Sequence, residues 1–294
     1  MMTAFIFEGL ANILRFVPGN IRHKLLQGMG WIYGSLPHGQ LKALKFNLRL
    51  LMHLKEPELD KTAKEIFQNF ATTLFDFSSP KNIHVEFPRK KELENWRSQH
   101  GSLMLLTFHM GLWELGARIL GNWGWPVTAI YQPYKNKHLK RVIEKWRAPG
   151  VDFIPVGNGA AKSVSQAFRE GKLVAMLGDH HFGEEGIPVE LLGHNIKWAK
   201  GPVLFAVKEQ FPIIVSVVIR TGPRSYRVII EDPLIPRDRS LNEIQRLAQE
   251  VADKFGNFLT AFPTQWYYFQ PLEVLPRQEG EPEELGKVLE TVLK

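Results

Sequence analysis

The spacing of apolar and polar residues changes once along this chain, near residue 80. Before that point apolar positions recur at helical intervals. Ile6, Leu10, Ile13, Leu14 and Val17 share one face of a helix expected over 4–17, with polar interruptions at Glu8, Asn12 and Arg15. Pro18-Gly19-Asn20 stops it. A second helical stretch, 21–36, carries Arg22 and Lys24 at its head and Trp31 and Tyr33 later. Further breaks fall at Pro37-His38-Gly39 and Pro57. The stretch 59–77 predicts an amphipathic helix with Ile66, Phe67, Phe70, Leu74 and Phe75 close to one face. After about residue 82, short apolar runs alternate with amphipathic segments. Strands are expected at 102–108, 126–131, 152–156 and 173–178, with helices at 112–122, 136–147 and 159–170. Such alternation predicts an α/β fold, a central mostly parallel or mixed sheet flanked by helices. Short strands at 189–192 and 195–198, a helix at 200–210, strands at 213–219 and 226–230 and a helix at 240–261 follow. A last short strand is expected at 265–269. Three regions result: helical residues 1–80, an α/β domain over 81–275, and a charged tail over 276–294 with a weak helix at its end.

Composition narrows the partners. A chain of 294 residues with 44% hydrophobic content can bury a full core. The absence of cysteine excludes disulfides, cysteine nucleophiles and thiolate metal sites, and fits a reducing compartment. A net charge of +7 points to anionic partners: phospholipid, phosphorylated substrate, acidic carrier protein or nucleic acid. The N-terminal stretch lacks a basic start and a clear cleavage site, so no secretory signal is evident. No run offers eighteen uninterrupted apolar residues. The basic, aromatic and aliphatic residues of the first two helices suit helices lying in a membrane interface. The alternative is that both pack on the protein's own core.

Chemistry concentrates at His109 and Glu114, in Thr-Phe-His-Met-Gly-Leu-Trp-Glu. An apolar run delivers the histidine to a strand end, a glycine follows, and a helix opens with a carboxylate. Two other histidines, His53 and His180, also have an acid five positions on. His53 lies in a helical stretch, where a helix-face histidine is the simpler reading. His180 is followed by glycine and charge rather than helix. Five residues of unbroken helix turn about 500°, so His109 and Glu114 would diverge by roughly 140°. They meet only if the Met110-Gly111 break separates them. A general base with an orienting acid at the lip of a sheet suits acyl transfer to a hydroxyl.

Lys135, Lys137, Lys140, Arg141, Lys145 and Arg147 face a single acid, Glu144, in the basic run 135–147. The run reads either as a solvated helix face or as a docking surface for anions. It follows the strand expected beside that of His109, so Arg147 can reach the crevice at the strands' carboxyl ends and hold phosphate or an oxyanion. Asp179 closes the next apolar run and could assist the same site. Asp179-His180-His181 resembles part of a metal site, but no convincing further ligands accompany it, and neither metal nor cofactor is expected. Lys200 and Gly201 precede a helix start that could hold an anion. No Walker-type glycine loop, dinucleotide fingerprint, nucleophile elbow or RNA-binding signature is present.

Taken together, Thr107-Phe108-His109-Met110-Gly111-Leu112-Trp113-Glu114, Tyr131-Gln132-Pro133 with Asn136, Arg147, Asp179-His180, Phe182-Gly183, the Gly201 region and Pro263-Thr264-Gln265-Trp266 resemble the bacterial lipid A biosynthesis acyltransferases of the late lauroyl/myristoyl type. The resemblance runs from about residue 80 to 270. It implies a glycerolipid-acyltransferase-like fold with membrane-associated N-terminal helices. It also implies an acyl chain delivered by acyl carrier protein to a hydroxyl of an anionic glycolipid, at the cytoplasmic face of the bacterial inner membrane and without metal; with no RNA-binding signature, no nucleic-acid partner is expected. His109 and Glu114 match the catalytic pair, Arg147 the functional arginine and Asp179 the later aspartate. Tyr131, Gln132, Lys140, Arg141, Lys145, Lys200 and Gly201 are the expected substrate-binding residues. Two departures bear on the acceptor. Gln132 replaces a common arginine, and Tyr268-Phe269-Gln270-Pro271 stands where many members carry His-Arg-Arg. A different hydroxylated lipid, or a non-catalytic protein holding anionic lipid, are the alternatives.

Overall fold

Proline and glycine set the boundaries of the helical first quarter. The computed structural model describes residues 9, 12–134, 136–157, 159–180 and 186–276. The beginning of the helix expected at 4–17, Lys135, His181, Phe182, Gly183 and the tail beyond 276 lie outside these residues. Helix α1 (Gly19–Ser35) starts directly after Pro18 and buries Leu26, Gly30 and Gly34, four residues apart. A Cβ on Gly30 would come within 2.5 Å of the Phe67 carbonyl oxygen. The two glycines therefore let α1 meet helix α3 (Glu58–Ser78) backbone against backbone. The other face of α1 leaves Ile21, Leu25, Met29 and Ile32 exposed. Between them, α2 (Gly39–Met52) is capped by the His38 ring, which accepts from Leu41 N–H, and ends at His53 in the left-handed conformation. His53 is thus a helix terminator beside the His194 ring, 5.7 Å away, rather than a helix-face residue.

The sheet has seven strands in the order β1-β9-β8-β2-β5-β3-β4. Its members are β1 (His84–Glu86), β2 (Met104–Thr107), β3 (Val127–Tyr131), β4 (Val151–Pro155), β5 (Leu173–Leu177), β8 (Ile213–Gly222) and β9 (Ser225–Ile230). All neighbours run parallel except β8 and β9. A separate hairpin pairs β6 (Ile187–Leu191) with β7 (His194–Trp198). Helices α4 (Lys90–His100), α5 (Trp113–Asn122) and α6 (Lys137–Trp146) are joined by α7 (Ala160–Arg169), α8 (Gly201–Glu209) and α9 (Leu241–Ala261).

Alternation along the strands splits the core in two. Leu105, Ile214, Leu115, Val142 and Trp146 pack on the side of α5 and α6. Met104, Leu106, Val215, Phe168, Val203 and Phe255 pack on the side of α7, α8 and α9. The helical first quarter is tied to the sheet through Asp76 of α3. Its carboxylate accepts from Arg220 at 3.0 Å, Arg224 at 3.1 Å and the Tyr226 hydroxyl at 2.7 Å. Burial and the facing carboxylate push the Tyr226 hydroxyl's pKa upward, despite opposition from Arg220.

Three expectations are corrected. The strand beside β2 is β5, which separates β2 from β3. The segment 265–269 is not a strand: a single 3-10 turn (Pro263–Gln265) leads into one bridge between Trp266 and Met110. The structure also adds β1 and α4, neither of which was expected.

Candidate active site

Gly111 makes the turn between β2 and α5. It has φ +55, and a Cβ there would collide with the Val218 carbonyl oxygen, so only glycine fits. The loop is pinned on both sides. Leu112 N–H donates to Val218 O at 2.8 Å and Gly111 N–H to Gln265 O at 2.8 Å, while His109 O accepts from Tyr267 N–H at 2.7 Å.

Thr107 pairs with Leu177 at the ends of β2 and β5. Two residues further along each chain stand His109 and Asp179, and their side chains meet. His109 Nδ1 lies 2.9 Å from Asp179 Oδ1, and His109 N–H donates to Asp179 Oδ2 at 2.9 Å. The indole N–H of Trp266 donates to the same Oδ2 at 2.9 Å. With Nδ1–H directed at the carboxylate, Nε2 is left to accept a proton. Burial opposes charge on the imidazole, but the Asp179 carboxylate overcomes it with help from Glu114, and the His109 pKa rises. Burial likewise opposes ionisation of Asp179, and His109 together with the indole donor outweighs it, so the Asp179 pKa falls.

Glu114 does not orient the ring. Among the described residues it makes no hydrogen bond to His109. It sits in the first turn of α5 with Oε1 3.9 Å from Arg147 Nε. Burial pushes its pKa up, against the pull of Arg147, His109 and Arg118. The left-handed turn at Gly111 carries α5 across the cavity, while strand pairing sets Asp179 directly beside the histidine. That is why the carboxylate more distant in sequence takes the place expected for the nearer one. Among the described residues Asp179 makes no hydrogen bond to Arg147.

Arg147 caps the end of α6. Its guanidinium lies 4.0 Å from the Tyr131 ring centroid and 4.4 Å from that of Phe153. Its side chain is 6% exposed, and among the described residues its Nε finds no hydrogen-bond partner. The arginine therefore keeps donor capacity at the cavity wall.

His109, Glu114, Tyr131, Gln132, Arg147, Lys200 and Gly201 all line one cavity of about 560 Å³. Asp179 stands behind the histidine, fully buried. The cavity walls draw on both halves of the core: Leu105, Ala175, Val228 and Ile230 on the α4–α5 side, and Val164, Met176 and Phe205 on the other. Small side chains at Gly116, Ala129 and Ala175 leave the space. Lys140, Arg141 and Lys145 do not line it. They belong to the outer part of α6, where Lys140 pairs with Glu144 at 3.6 Å, and Lys145 borders a second hollow with Arg15, Arg118 and Arg147. The Trp266 donor was not foreseen in this role, although its motif was visible. Among the described residues, no group of three or more His, Asp or Glu could hold a metal ion.

Several known proteins resemble the chain. The family model described as "Bacterial lipid A biosynthesis acyltransferase" matches residues 1–272. The chain is 20% identical over 192 residues to the phosphatidylinositol mannoside acyltransferase of Mycolicibacterium smegmatis (63% of this chain, 61% of that protein). It is 21% identical over 175 residues to the protein of the same description from Mycobacterium tuberculosis H37Rv (58% and 54%). It thus spans less than two thirds of either. A lipid A biosynthesis acyltransferase of Haemophilus influenzae is 21% identical over 280 residues, 92% of this chain and 86% of that one. Among solved structures, the 1-acyl-sn-glycerophosphate acyltransferase PlsC of Thermotoga maritima aligns with TM-score 0.40 and 14% identity, over 83% of this chain and 98% of that one.

Proposed function

Because the chain belongs to the bacterial lipid A biosynthesis acyltransferase family, we propose that it transfers a fatty acyl chain from acyl carrier protein to a hydroxyl of a lipid A precursor or related glycolipid. The observation that carries the reading is the His109–Asp179 pair at the wall of a largely apolar cavity. Asp179 holds Nδ1–H, and Nε2 takes the proton of the acceptor hydroxyl as its oxygen attacks the thioester carbonyl. The carbon–oxygen bond forms, the carbon–sulfur bond breaks, and the proton passes from the imidazolium to the departing thiolate. Arg147, whose Nε makes no hydrogen bond among the described residues, is suited to the developing oxyanion or to a phosphate of either substrate. The apolar walls suit the hydrocarbon of the donor.

Two surfaces supply the approach. Among the described residues no helix is long and apolar enough to cross a membrane. The exposed stripe of α1, with Phe16 before it at 91% exposed, suits a helix resting in the interface of the inner membrane's cytoplasmic leaflet. The basic flank of α6 suits an acidic carrier. We further take residues 1–80 as the membrane-facing region and 81–275 as the catalytic domain.

The test is turnover by the full chain on vesicles, with acyl groups of several lengths on acyl carrier protein, candidate precursor glycolipids, and mass spectrometry of products. His109→Ala should lower kcat by about 10²–10⁴-fold with the fold intact by circular dichroism. A variant keeping more than about a tenth of the activity would remove His109 as base. Lipid binding without any turnover would leave a non-catalytic lipid-binding protein.

A further inference from the structure

The segment 265–267 lies far in sequence from β2 and β5, yet three successive residues grip the His109 loop and its carboxylate. Gln265 O accepts from Gly111 N–H, and Tyr267 N–H donates to His109 O. Between them the Trp266 indole N–H reaches Asp179 Oδ2. The segment is itself fixed: the Gln265 side chain accepts from Arg220 N–H at 2.8 Å and donates to Arg220 O at 3.0 Å. Trp266 is 1% exposed, stacked on Tyr268 at 5.4 Å and edge-on to Phe255 at 5.6 Å. Packing alone would need only an aromatic ring. The indole adds a donor, aimed at a buried carboxylate whose other oxygen takes the imidazole.

We infer that Trp266 is a positioning residue for the reaction, its N–H fixing the Asp179 carboxylate in the place from which it holds the His109 ring. A buried carboxylate is costly unless its lone pairs are satisfied. Here Oδ2 is shared by two N–H donors and Oδ1 is committed to His109. Removing the indole donor leaves Oδ2 under-satisfied and concentrates the negative charge that the imidazole senses. The charged and titratable groups around His109 are Asp179 and Glu114, with the His180 ring at 6.4 Å. The Tyr268 hydroxyl also senses the Asp179 charge.

The inference rests on the acyl-transfer reading in its kinetic arm alone. Trp266 is replaced by 3-benzothienylalanine, which keeps the bicyclic shape and lacks the N–H, and in parallel by phenylalanine (Trp266→Phe). The His109 imidazole is titrated by NMR in the full chain, and kcat, KM and the pH profile are measured. The benzothienyl protein should titrate higher by about one pH unit, and the acid limb of kcat/KM should move with it. Its kcat should fall about tenfold with KM unchanged. An unmoved titration and acid limb in the benzothienyl protein, whatever the rate, would reduce Trp266 to packing. A moved titration in a protein that transfers no acyl group would sink the proposed reaction and keep the positioning role. Loss of folding in Trp266→Phe alone would leave the isosteric variant to decide.

Discussion

Two carboxylates border His109, and they occupy opposite surroundings. Asp179 stands past the end of β5, on the strand hydrogen-bonded to that of His109, and takes two N–H donors besides the imidazole. Glu114 stands in the first turn of α5 with Arg147 at 3.9 Å, and it also senses His109 and Arg118. One is held below the ordinary carboxylate range, the other pushed above it. Nearness in sequence favours the wrong one. Strand pairing decides which acid meets the His109 ring, and a left-handed glycine decides where the other goes.

Asp179→Asn should break the first environment and cost most. The amide cannot hold Nδ1–H as an anion does, so kcat should fall on the order of 10³-fold, measured on acyl transfer at saturating substrate. Glu114→Gln should cost less, about 10–100-fold, by loosening Arg147 rather than the imidazole. Equal losses would return Glu114 to the orienting role. Neutralising Lys140, Arg141 and Lys145 to glutamine leaves both carboxylates in place. Binding of acyl carrier protein should weaken about tenfold at low salt and differ little at 1 M salt; salt-insensitive binding would remove the docking role of α6.

The smallest effect is thermal. Asp179, with a lowered pKa, contributes stability at neutral pH that is lost as pH falls through its folded value. Glu114, with a raised pKa, does the reverse. Its ionisation costs nothing below the ordinary carboxylate range, and the cost accumulates as pH rises through the raised value. Glu114→Gln should therefore raise Tm at neutral pH by about 2 °C, with the gain vanishing on acidification to the ordinary carboxylate range. A gain that persists in acid would place its origin outside ionisation.

Much of this architecture is legible in the chain because it is written in local periodicity. The segments that became β2, α5, β3, α6, β4, α7 and β5 match their expected spans closely. What failed was either short or non-local. β1 has three residues, none of them buried, and α4 buries only Leu93, so neither leaves an apolar rhythm. Trp266 and Tyr268 read as strand residues because aromatics favour strands, yet they follow a single turn, and the segment has one bridge, at Trp266. The His109 end of the cavity was legible from its break at Gly111. The pairing with Asp179 was not, because nothing in a linear pattern says that β5 inserts between β2 and β3. The Trp266 bond depends on that same crossing.

The pair Gly30 and Gly34 has a further consequence for α1. Close backbone contact with α3 fixes which face of the helix is turned outward, and that face is the oily stripe. If α1 rests on a bilayer as proposed, it would act as a keel. The attitude of the whole molecule, and the depth at which a dissolved tail meets His109, would be set by two missing methyl groups rather than by the composition of the lipid.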